Sequence, residues 1–141
     1  MPNNAELNYI SWLRKAEEDE LSIRAVLKEG APSTACFLSQ QMAEKYLKAL
    51  LIFHKQSFPK IHDIKRIATL LELFVSDIFD LEEEFNLLNK YYATTRYPGD
   101  FPEGFSKQDA QEAFTAALRI KDFIVSKILG SSKNGSTAKQ A

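Results

Sequence analysis

The side chains able to do chemistry are few, and their types narrow the options quickly. The 141 residues hold two histidines, His54 and His62, and one cysteine, Cys36. Zinc chemistry would call for paired Cys or His ligands at fixed spacing, and neither HExxH nor CxxC occurs; a carboxylate-only site stays open, and the metal expectation is none. Phosphate loops of the GxxxxGK[ST] or GxGxxG kind and a GxSxG nucleophile elbow are also absent. What remains is a scattered basic and aromatic set: Lys45 and Lys48, His62 beside Asp63, and Arg96-Tyr97 at the head of a Pro/Gly-rich stretch. Each has an ordinary structural reading. Lys45 and Lys48 suit a solvated helix face, Arg96 at a helix C-terminus complements the dipole, Tyr97-Pro98-Gly99 makes a good turn, and His62 can help cap or hold a connector. Ligand contact is the other reading of His62.

These residues are positioned by helices. The stretch from about Ser33 to Gln56 is the organising one. At 100° per residue Ala35, Cys36, Met42, Ala43, Tyr46, Leu47, Leu50, Leu51 and Phe53 fill nearly half the circumference. Gln41, Glu44, Lys45, Lys48 and Lys55 share the other side, where Glu44 and Lys48, four apart with the acid first, make a surface pair worth about 0.2–0.5 kcal/mol. So wide a stripe needs two or three partner helices, which makes this the central helix. Gln40 and His54 fall inside the stripe and are expected to find polar partners in the core or at a chain contact, or to face a ligand groove.

An amphipathic segment over about 5–29 precedes it, with Tyr9, Trp12, Leu13, Ala16, Ile23, Val26 and Leu27 at helical spacing. Gly30-Ala31-Pro32-Ser33 ends it, with Ser33 expected to cap the next helix, and so short a turn makes the two antiparallel. A connector containing Pro59 leads to a shorter third helix beginning near His62 or Asp63, carried by Ile64, Ile67, Ala68, Leu71 and Phe74; Asp63 suits its dipole. Ser76-Asp77 signals a cap for a fourth helix through Leu81, Phe85, Leu88 and Tyr92 to Thr94 or Thr95. The main loop, 96–105, follows. Ser106 and Asp109 form a capping-box pattern before a fifth helix with an alanine-lined face (Ala110, Ala113, Ala117).

The fold class is therefore all-α: an up-and-down bundle of four main helices plus a shorter one, over residues 1–129. From Gly130 the composition turns polar, and 130–141 is expected to be a disordered tail. A net charge of −1 excludes a global pull on nucleic acid or anionic membrane, so any anion site is local. No apolar run approaches the roughly 18 residues that span a bilayer and no signal-peptide pattern opens the chain, so a cytoplasmic protein without membrane partners is expected. Cys36 lies on the apolar face as a small core residue.

Trp12, the run Gln40-Gln41-Met42-Ala43-Glu44-Lys45-Tyr46-Leu47-Lys48-Ala49-Leu50-Leu51, then His62-Asp63-Ile64 and Tyr91-Tyr92-Ala93-Thr94-Thr95-Arg96-Tyr97-Pro98-Gly99 together resemble the HEPN family, the higher eukaryotes and prokaryotes nucleotide-binding domains. The resemblance spans about residues 9–129. It implies a helical bundle, usually a homodimer, that binds nucleotide or RNA, frequently as partner of a separately encoded minimal nucleotidyltransferase in a toxin–antitoxin-like pair. It implies Lys45, Lys48, His62 and Arg96 as phosphate donors and Tyr97 as a stacking or hydroxyl contact, with no cofactor. Nuclease members carry Arg, four to six residues, then His. Here Arg96 is followed by Tyr-Pro-Gly-Asp-Phe-Pro and no histidine lies beyond His62, so a non-catalytic binding module is the expectation. The alternatives are a metal-independent ribonuclease in which His62 is general base and Arg96 steadies the phosphorane, and a plain helical interaction protein.

Overall fold

The computed structural model describes residues 8–57, 60–94 and 104–140, with side chains described over 8–57, 60–92 and 104–130. Its elements are α1 (Tyr9–Glu29), α2 (Pro32–Phe53), α3 (Ile64–Leu71), a 3₁₀ turn (Ile78–Leu81), α4 (Glu82–Asn89), α5 (Tyr91–Thr94) and α6 (Lys107–Gln140). Helices are joined by turns throughout the described residues, and no strand occurs among them. The all-α bundle is what the helical periodicity predicts.

Helix α2 packs against α1, α3, α4, α5 and α6. With so many neighbours it is buried almost all round, Tyr46 through Ile52 without interruption, which corrects the expectation of a solvated polar face. Glu44 and Lys48 are 4% and 6% exposed. Gln41 and Lys45 are half-buried. Helix α1 starts on Asn8, whose Oδ1 accepts from Ile10 N at 2.8 Å. It ends on Gly30 at φ 84, with Ala31 N donating back to Val26 O at 2.9 Å. Only a residue without Cβ takes that turn at low cost.

Three local expectations are corrected. Ser33 does not cap α2, which starts from Ala31 with Pro32 in its first turn; instead Ser33 Oγ accepts from Phe105 N at 3.0 Å. That tie brings the start of α6 onto the start of α2. Gly104, at φ 75, sits so close that a Cβ there would lie 2.8 Å from Ser33 Oγ. Second, α2 stops at Phe53, before the expected Gln56, because Lys55 turns to φ 63 and Gln56 N closes on Leu51 O at 3.0 Å. Third, the single fourth helix is broken into the 3₁₀ turn, α4 and α5. Its buried residues Ile78, Leu81, Phe85, Leu88 and Tyr91 begin three apart, which is the 3₁₀ period. Asp77 is no side-chain cap, because its carboxylate binds Lys127 at 2.7 Å.

The third helix, expected to be carried through Phe74, ends at Leu71, while further local expectations hold. Ser106 and Asp109 bond reciprocally, Ser106 N to Asp109 Oδ2 at 2.9 Å and Asp109 N to Ser106 Oγ at 3.0 Å, a capping box with the shorter acid. Ala110, Ala113, Ala116 and Ala117 are buried, letting α6 lie close on α2. Cys36 is wholly buried, and that burial pushes its thiol up to about 12. The backbone of α6 continues past Gly130 to Gln140.

Candidate functional site: a histidine held by a buried carboxylate

The cluster grows from the one acidic side chain buried in α2. Glu44 Oε2 accepts from Lys48 Nζ at 2.7 Å and lies 2.9 Å from His62 Nδ1, while Glu44 Oε1 accepts from Gln40 Nε2 at 3.1 Å. Gln40, Glu44 and Lys48 stand four apart on one face of α2, so helical geometry alone stacks them. Gln40 Nε2 also donates to the His62 carbonyl at 3.3 Å, and Gln40 Oε1 accepts from Gln41 Nε2 at 2.6 Å. Gln40 thus finds the partners its place in the apolar stripe requires. Lys48 Nζ lies 5.8 Å from the centroid of the Trp12 ring, which joins α1 to the cluster.

His62 is consequently gripped at both ends. Gln40 takes its backbone carbonyl, Glu44 takes ring Nδ1, and Tyr92 of α5 stacks on the ring at 4.6 Å and 15°. Its side chain remains 46% exposed. The following residue is fixed as well. Asp63 caps α3, its Oδ1 accepting from Lys65 N at 3.0 Å and Arg66 N at 3.3 Å. Asn89 at the end of α4 donates to the same oxygen at 2.9 Å and accepts from Ile64 N at 2.9 Å. The first three amides of α3 are therefore satisfied from within, and the helix terminus offers no vacant N–H nest to an anion.

Around this grip lies an open cleft of about 450 Å³ lined by Lys60, Ile61, His62, Asp63, Arg66, Asn89 and Tyr92. Lys60 and Arg66 are exposed and form no ion pair among the described residues. With the helix amides already capped, an anion entering here is met by side-chain charge, with the aromatic edge of Tyr92 beside it. A larger groove of about 870 Å³ between α4 and α6 gathers less chemistry. Its Arg119 is already on Glu84 at 3.2 Å and its Gln108 on Glu112 at 3.1 Å.

Of the residues expected from the sequence, the structure brings Lys48 and His62 together on one carboxylate oxygen. Lys45 is elsewhere, paired with Asp19 of α1 at 2.7 Å. Arg96 and Tyr97 lie outside the described residues. His54, the other polar residue of the stripe, closes α2 with its ring against Phe53 at 5.3 Å and stacked on Phe74 at 5.1 Å; burial lowers its pKa. Glu44, Lys60, Arg66, Asn89 and Tyr92 were not expected in a site. The Glu44–Lys48 spacing was visible as a surface pair, but its burial depends on five helices converging. Among the described residues no group of three or more His, Cys, Asp or Glu is placed to hold a metal, and no helix is long and apolar enough to cross a membrane.

An all-α bundle with a central buried helix, and a histidine fixed between that helix and a short capped one, defines a class of small helical domains. The HEPN domain family matches residues 9–128, and the chain belongs to that family. The crystal structure of TT1696 from Thermus thermophilus is similar at 32% identity, with 84% of this chain and 97% of that one covered and a TM-score of 0.78. The crystal structure of ST0689, an archaeal HEPN homologue, is similar at 32% identity, covering 86% and 98%, with a TM-score of 0.68. The curated proteins compared with the chain include no match.

Proposed function

We propose that this chain is a non-catalytic nucleotide- or polynucleotide-binding module that serves a separately encoded minimal nucleotidyltransferase. The observation that carries the reading is the cleft in which His62, held by Glu44 and stacked on Tyr92, stands beside the exposed cations Lys60 and Arg66. A fixed aromatic stack next to exposed cations suits a base and its phosphate. Arg96 and Tyr97 follow α5 in the chain and are proposed as further phosphate and base contacts. Lys48 supports the site from behind through Glu44, and Lys45 braces α1 through Asp19. The module works as a homodimer in the cytoplasm; light scattering at twice the 16.0 kDa chain mass checks the first.

Binding by side-chain charge alone is expected to be weak and to fall steeply with salt. Calorimetry with AMP and a riboadenylate tetramer at two salt concentrations tests it. Arg66→Ala should weaken both ligands about tenfold, in the range of one lost charge-assisted contact. Unchanged binding in that variant would remove the cleft from the reading.

One observation favours a second reading. A carboxylate that holds Nδ1 and leaves Nε2 outward is also how a general base is oriented, so His62 with Arg96 could cleave RNA. Incubation of the purified chain with single-stranded RNA, with His62→Ala as control, separates the two: cleavage lost in that variant promotes the nuclease.

A further inference from the structure

The cleft holds more than cations. The Glu44 bond occupies Nδ1 of His62, so with the ring proton there Nε2 is a lone-pair acceptor. The shared carboxylate oxygen accepts from Lys48 as well, so the ring meets it through Nδ1–H, and in the neutral ring that leaves the lone pair on Nε2. Asp63 offers a second acceptor. Its Oδ1 takes three donors, from Lys65 N, Arg66 N and Asn89 Nδ2, whereas Oδ2 has no partner among the described residues, on a side chain that lines the same cleft. Two adjacent residues thus present acceptors, and Lys60 and Arg66 present positive charge.

A bare phosphate answers only half of that set, because two acceptors repel its oxygens. A ribonucleotide answers all of it: vicinal hydroxyls are donors, the phosphate meets the cations, and the base has a ring beside it. A volume of about 450 Å³ holds one nucleotide unit and little more. We propose that the cleft is a ribose-reading site, in which Asp63 Oδ2 and His62 Nε2 accept from the 2′- and 3′-hydroxyls of one ribonucleotide and Lys60 and Arg66 take its phosphate. Glu44 is the positioning residue that turns the acceptor nitrogen of His62 outward. This rests on the nucleotide-binding reading above and adds the sugar to it. A cis-diol belongs either to a free mononucleotide or to the 3′ end of an RNA strand.

The test compares AMP with 2′-deoxy-AMP by calorimetry on the intact chain, then a riboadenylate tetramer ending in 3′-hydroxyl with the same tetramer ending in 3′-phosphate. AMP should bind about tenfold or more tightly than the deoxy analogue, since a hydrogen bond to a charged acceptor is at stake. Asp63→Asn is the informative variant. Its amide oxygen stays on the α3 cap, which puts –NH₂ where Oδ2 was, so folding is preserved while the acceptor becomes a donor. In it AMP should fall to the affinity of the deoxy analogue, whose own binding is unchanged. Glu44→Gln should reduce the AMP preference, and ¹⁵N shifts of His62 should show that the Nδ1–H tautomer is no longer dominant. A tetramer that needs its free 3′-hydroxyl assigns the site to a strand terminus; binding of AMP alone assigns it to a free nucleotide. Equal binding of AMP and deoxy-AMP, with both weakened about tenfold in Arg66→Ala, overturns the ribose site and leaves nucleotide binding standing. No binding of either removes both.

Discussion

Removing Glu44 is the sharpest test of how the cluster is built. Its side chain is 6% exposed and that of Lys48 8%, and the carboxylate closes bonds of 2.7, 2.9 and 3.1 Å to Lys48, His62 and Gln40. In Glu44→Ala the ammonium of Lys48 is left in a place water hardly reaches, and breaking one side of a buried pair costs about 3–5 kcal/mol. His62 is half exposed and rehydrates. Gln40 keeps the His62 carbonyl and loses one bond, about 1 kcal/mol. Against a total of about 5–15 kcal/mol for a domain, that is a large share. Replacing both charges, Glu44→Met with Lys48→Met, removes the desolvated ammonium along with its partner. Such apolar swaps of buried pairs are often neutral, so the double variant should lose only about 1–2 kcal/mol, mostly through Gln40 and His62. Urea unfolding followed by far-ultraviolet circular dichroism measures all three proteins. If Glu44→Ala loses less than about 1 kcal/mol, or the double variant is as damaged as the single one, then the broken Glu44–Lys48 pair is not the source of the cost and the reasoning fails.

Gly104→Ala should destabilise by about 1–2 kcal/mol, because φ 75 disfavours any Cβ and the added carbon would press on Ser33 Oγ at 2.8 Å; thermal unfolding checks it, and a neutral result would mean that the α2–α6 tie is loose. Cys36, whose thiol burial pushes up to about 12, should resist a disulfide reagent at about pH 8 in the folded protein and react at the ordinary thiolate rate in denaturant. Fast labelling of native protein would place Cys36 outside the core.

The bundle was legible because helical periodicity reports burial directly. Ala35, Met42, Tyr46, Leu47 and Leu50 repeat at helical spacing and are all buried, and the Ser106–Asp109 box is a local pattern whose partners lie three residues apart. What was not legible depends on contacts distant in sequence. Glu44 and Lys48 read as a solvated pair because nothing local says that α3 and α5 cover that side of α2. Ser33 read as a cap, yet its partner is Phe105, 72 residues on. Asp77 read as a cap too, and was claimed instead by Lys127, 50 residues on. His62 was noticed as ambiguous, and its ambiguity resolves only when Gln40 and Glu44, about 20 residues earlier, are seen holding it.

Helix α2 serves the cleft as well as the core. Its apolar residues anchor α1 and α6, while Gln40, Glu44 and Lys48, one turn apart, hold the connector that leads into α3. One rigid element therefore positions both the core and the histidine. A shift of α2 along its axis by one turn would carry Glu44 away from His62, whereas the packed neighbours on its other faces forbid such a slip. Rigidity on one side permits adjustment on the other: under the proposed reading, Lys60 and Arg66, exposed and outside the grip, settle on a nucleotide after His62 and Tyr92 have received it. Binding then requires ordering of two long side chains and little backbone, which keeps the entropy cost small and suits a weak, reversible contact with a nucleotide.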